Sequence, residues 1–163
     1  MHISKREASL VQGDLFLFSI SEYCPDMLIG GRGAASDPWR WQYAVDVLHS
    51  GFESGLLTVW TDQGAEACGS QVLSDLVRML SESDPFDMSQ FLTGGLDCWL
   101  EPQVVGTDIC DDMLRRNGVD RSDGELSATL IADIEALLRK RSCPWGSGPR
   151  IIGMKALSGE SKG

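Results

Sequence analysis

Between Pro38 and Phe52, apolar residues fall at Tyr43, Val47 and Phe52 with Ala44, Val45 and Leu48 beside them, a stripe broad enough to predict a helix covered from two sides. Asp37 offers a capping carboxylate, and Pro38 suits the first helical position, where its missing N–H costs nothing. Gly51 and Gly55 weaken the helix end. Leu56, Leu57, Val59 and Trp60 then change the rhythm to a short apolar run with a β-branched centre, which predicts a strand buried on both faces. The stretch Asp37 to Asp62 therefore reads as the structural nucleus.

The flanking segments follow from the same rules. Ser4 and Glu7 have capping-box spacing ahead of Ala8, Leu10 and Val11, predicting a short helix that Gly13 ends. Asp14 to Tyr23 is uniformly apolar through Leu15, Phe16, Leu17, Phe18 and Ile20, and reads as a second helix capped by Asp14 and closed at Cys24 and Pro25. Gly30, Gly31, Arg32 and Gly33 make a connecting loop, followed after the first strand by a polar loop from Thr61 to Gly69. Ser70 to Ser81 is amphipathic, with Val72, Leu73, Leu76, Val77, Met79 and Leu80 on its apolar side. A turn at Pro85 and a short helix from Asp87 to Leu92, stopped by Gly94 and Gly95, lead to a second strand candidate over Leu96 to Val105. That candidate carries Trp99 and is interrupted by Pro102.

Thr107 to Asn117 reads as a helix with Asp108, Asp111 and Asp112 in its first turn and Arg115 and Arg116 in its last, matching the dipole at both ends. Ser122 and Glu125 repeat the capping-box spacing ahead of a long helix over Asp123 to Arg141, lined by Leu126, Leu130, Ile131, Ile134, Leu137 and Leu138. Leu130, Ile134 and Leu137 are expected against the Asp37 to Phe52 helix. A Pro-Trp-Gly turn at Cys143 to Gly148 and a small strand within Arg150 to Leu157 complete the order. The expected fold is α+β, predominantly α-helical with a small antiparallel sheet, in one globular domain over 1–157 with a disordered tail at 158–163.

Composition sharpens this picture in two ways. The 163 residues carry a net charge of −10, spread as −5 over Met1 to Ser81, −8 over Glu82 to Glu125 and +3 over the remainder. A field of that sign repels nucleic-acid backbones and anionic membranes and draws in a basic partner. The five cysteines include no C-x-x-C pair and cannot all be joined within one chain, so buried, reduced thiols are expected. No apolar leader and no run long enough for a membrane span is visible, which predicts a cytoplasmic protein.

Candidate chemistry is sparse. The segment IGGRGAASDP lacks the Gly-Lys-Ser/Thr of a P-loop and the spacing of a dinucleotide fingerprint. Of the two histidines, His2 opens the chain and His49 lies within the Pro38 helix, where a structural role is expected; no G-x-S-x-G marks a nucleophile. Asp108, Cys110, Asp111 and Asp112 come nearest to a metal-ligand group, yet their placement suits a helix N-terminus better. Neither a cofactor nor catalysis is expected.

What remains is binding. Trp39 and Trp41 are two apart on one helix and cannot share a face, so one of them is a candidate outward anchor. Glu82, Asp84, Asp87, Asp108, Asp111, Asp112, Asp120 and Asp123 are the candidate contacts for a basic partner.

In size, acidity, lack of catalytic motifs and the helix-to-strand run WQYAVDVLHSGFESGLLTVW, the chain resembles the small immunity proteins that accompany bacterial polymorphic toxins, including those of contact-dependent inhibition systems. The resemblance implies a protein that neutralises a cognate toxin, often a nuclease domain with a basic surface, by direct binding. It carries over no individual residue. A structural or adaptor module and an uncharacterised enzyme are the alternative readings.

Overall fold

A computed structural model describes residues 2–30, 36–61 and 69–151. The fold is α+β and mostly helical, with a two-stranded antiparallel sheet. In chain order the elements are α1 (Lys5–Ile20), α2 (Pro38–Ser54), β1 (Leu57–Trp60), α3 (Ser70–Glu82), α4 (Asp97–Leu100), β2 (Gln103–Gly106), α5 (Asp108–Arg116) and α6 (Ala128–Lys140), with short 3-10 turns at Pro25–Ile29 and Met88–Gln90.

Helix α2 is the centre. Asp37 Oδ1 accepts from Arg40 N at 3.1 Å and fixes its start, and Gly55 ends it in the left-handed conformation at φ 81°. Its apolar side chains Tyr43, Ala44, Val45, Val47 and Leu48 are all buried, because α3, α6, β1 and the Pro25–Ile29 turn each pack against it. Gly51 lies inside the helix, which runs on to Ser54. A Cβ there would sit 2.5 Å from Leu57 Cδ1, so its absence is what lets β1 lie on α2.

The strands pair as expected, with Leu57 opposite Gly106 and Trp60 opposite Gln103. Tyr23 bridges the far side of β2 through a reciprocal pair of backbone bonds with Val104 at 3.0 and 2.8 Å. Burial of β1 fades along its length: Leu57 and Thr58 are covered, Val59 is half-buried and Trp60 is exposed.

Several boundaries differ from the sequence reading. The two helices expected at the start are one, α1, running through Gly13; the Ser4–Glu7 capping box opens it as expected. Gly13 interrupts nothing because it serves a close approach: a Cβ would stand 2.7 Å from the Ser122 carbonyl oxygen. Asp14 caps no helix and is buried in the middle of α1. The expected second strand divides, Trp99 falling on the single turn α4 and only the residues after Pro102 joining the sheet.

Helix α6 starts at Ala128, capped by the Ser127 hydroxyl on Leu130 N at 3.1 Å. The Ser122–Glu125 spacing is unused and Leu126 is left 44 % exposed. Leu130 and Ile134 are buried and α6 does contact α2, while Leu137 is half-buried and Leu138 takes the inner position. Thiols of Cys110 and Cys143 are buried, and those of Cys24 and Cys98 only partly; all four are free. Gly31 to Gly33, most of the polar loop before Gly69 with Cys68, the strand expected after Ile151 and the tail lie outside the described residues. No helix among those described is long and apolar enough to cross a membrane.

Candidate partner-binding surface

Neither tryptophan on α2 is fully exposed. Trp41 is buried, its indole N–H donating to the Leu80 carbonyl at 2.8 Å and tying α2 to α3. Trp39 is half-buried, stacked on Tyr43 with ring centroids 5.6 Å apart and covered by the Arg6 guanidinium 3.6 Å from its ring. Both therefore hold the helices together.

The acids divide into two groups. Asp111 and Asp120 share the rim of a groove of 420 Å³ beside Phe16, Leu114 and Val119. Asp108 lines a different cleft with Phe52, Leu57, Leu73 and Ile109. Asp112 is paired with Arg115, and Asp123 with Arg121 at 2.9 Å, so two of these five acids are already neutralised locally. Burial raises the pKa of the Asp111 carboxyl, and its neighbours Asp108 and Asp112 add to the rise.

The other group sits around the end of α3. Glu82 is 3.8 Å from Arg78, Asp84 accepts from Phe86 N at 2.9 Å, and Asp87 is held by Ser89 Oγ at 2.5 Å and Gln90 Nε2 at 3.1 Å. Those bonds to Ser89 and Gln90 keep the Asp87 carboxyl below its ordinary pKa. Asp84 and Asp87 thus shape the turn that follows α3 as well as charging it.

Sequence reasoning missed what this turn displays. Met88 is 50 % exposed, Phe91 52 % and Leu92 92 %, and Met79 on α3 is 43 % exposed. Single exposed apolar residues are ordinary, but three within five positions of one loop are not. Next to them, Leu76, Met79, Ser83, Gly94, Gly95, Asp97, Cys98, Glu101 and Pro102 line a groove of 390 Å³. No Lys or Arg occurs between Arg78 and Arg115, and that basic-free span was the legible signal for this face.

The segment is anchored rather than loosely draped. Trp99 is fully buried, with its indole N–H donating to the Ser83 carbonyl at 2.7 Å, and Leu96 is fully buried beside it. The exposed apolar tip is therefore carried on a fixed base, which lowers the ordering cost of binding.

Elsewhere the chemistry is structural. His49 is half-buried, with Nε2 3.4 Å from Ser147 Oγ and Gly148 packed against the ring. Burial lowers its pKa, opposed by Glu53 one turn on. Asp14 accepts from the Tyr43 hydroxyl at 2.6 Å, and Asp46 accepts from Gln42 Nε2 at 3.1 Å, inside the α1–α2 region. Burial pushes both carboxyls up to about 6. Among the described residues no three His, Cys, Asp or Glu side chains converge as a metal site would require. Comparison with models of protein families, with curated proteins and with solved structures returns no match.

Proposed function

We propose that the protein is an inhibitory binding protein of the immunity type, neutralising a basic toxin domain by docking it on the face that follows α3. The reading is supported chiefly by one observation: exposed Met88, Phe91 and Leu92 stand in a stretch that carries Glu82, Asp84, Asp87, Asp97 and Glu101 and no base. An apolar centre with an acidic rim suits a basic partner, since central apolar contacts hold a complex and rim charges speed its encounter. The anchors are Phe91 and Leu92, in place of Trp39 or Trp41.

Photocrosslinking tests this. A benzophenone side chain at position 92, expressed in the source cell, is expected to trap a basic protein, and co-expression of this chain is expected to relieve that protein's toxicity. Association of the pair should slow as salt rises, with dissociation changing less. Reversal of Asp84 and Asp87 to Lys should slow capture further. A trapped protein that is acidic, or whose activity this chain leaves untouched, overturns the reading.

A further inference from the structure

We infer that the groove between α3 and α4 is a receptor for an arginine side chain of the partner. This rests on the reading above that the partner is basic, and adds which of its residues is recognised and where. The lining combines apolar side chains with two acids. Leu76, Met79 and Pro102 offer the surface against which a three-carbon stem can lie. Asp97 and Glu101 stand four apart on the α4 turn and its cap, both exposed, and among the described residues neither is engaged in an ion pair.

Two carboxylates four apart on one turn suit a planar, five-donor guanidinium better than a compact ammonium, which is a point charge with no fork to span them. Gly94 sits at φ 80°, where a side chain is strained, and a Cβ there would come within 3.0 Å of Asp97 Oδ2. The 390 Å³ of the groove admits one long side chain. Leu92, two positions before Gly94, would then meet the residue flanking the inserted arginine.

The test uses the whole chain and a defined probe, the N-acetylated and amidated tripeptide Gly-Arg-Gly, with its citrulline and lysine counterparts. Titration followed by amide shifts should move Gly94, Gly95 and Cys98 saturably. Citrulline is expected to bind at least about fivefold more weakly, lysine to fall between, and Asp97→Asn or Glu101→Gln to cost about two- to fivefold each. The Cys98 thiol, which lines the groove, gives a second readout: the arginine peptide should slow its alkylation and leave that of Cys24 unchanged. Unmoved groove amides, or equal binding of arginine and citrulline peptides, overturns the inference. If a basic toxin is nonetheless trapped at position 92, the binding reading stands and only the arginine assignment falls. Saturable, arginine-selective binding without a toxin among trapped partners keeps the receptor and removes the immunity reading.

Discussion

The α1–α2 region and the segment from Ser83 to Pro102 distribute their polar and apolar groups in opposite ways. In the first, Gln12, Asp14, Gln42 and Asp46 are buried among apolar neighbours. In the second, Met88, Phe91 and Leu92 stand outside while acids surround them. Burying a polar group is costly unless it is bonded, so the inner set is specified by its partners: Tyr43 for Asp14, Gln42 for Asp46, and backbone at 125, 127, 149 and 151 for the two glutamines. Exposing an apolar group brings no comparable gain to folding. The first region satisfies its polar groups within the chain, and the second leaves apolar side chains open to solvent.

The largest effects should come from buried side chains that fix the base of the second region and the inner face of α6. Trp99→Ala removes a fully buried indole and leaves the Ser83 carbonyl without its donor. Denaturant unfolding should register a loss of about 3 to 5 kcal/mol. Ile134→Ala, from the face α6 turns inward, should cost about 2 to 5 kcal/mol, and a change below about 0.5 kcal/mol would put Ile134 outside the core.

Next in size is a pH effect confined to the inner region. Burial raises the folded pKa of both Asp14 and Asp46 from 3.8 to about 6, so between those values the folded chain holds protons that the unfolded chain has released. Stability should therefore fall as pH rises through that window and be higher near pH 5 than at pH 7, by on the order of 2 kcal/mol. Urea midpoints across pH would show it. Asp14→Asn with Asp46→Asn should flatten the slope, and an unchanged slope would assign it to the general acidity of the chain.

The smallest effect on stability is the one that sharpens the contrast most. Leu92→Asp should shift the unfolding free energy by less than about 0.5 kcal/mol while abolishing partner capture. Loss of folding together with capture would make Leu92 a structural residue and erase the distinction between the regions.

Legibility divides along the same line. Local signals were sufficient where neighbours in sequence decide the outcome, as at the Ser4–Glu7 box, the Asp37 cap, the inward face of α3 and the antiparallel pairing of β1 with β2. They failed where a distant group intervenes. Gln12 donates to the Glu125 carbonyl and accepts from Ser127 N, both at 2.8 Å, holding the chain extended just where the Ser122–Glu125 spacing predicts a helix. Nothing within residues 122–127 announces that. The expected strand failed similarly, because Trp99 lies on the α4 turn and turns inward to donate to the Ser83 carbonyl. The candidate surface was half legible: its acids were in view, whereas Phe91 and Leu92 were absorbed into a short helix and the two α2 tryptophans drew attention elsewhere.

The reach of Gln12 also bears on how the chain comes to be folded. Its two partners lie 113 and 115 residues downstream, and the partners of Gln42 lie 107 and 109 downstream. During synthesis, α1 and α2 therefore emerge well before the backbone partners of Gln12 and Gln42, and until those arrive the two amides bond to water. The native bonding of both glutamines can therefore be complete only once Ile151 has been added.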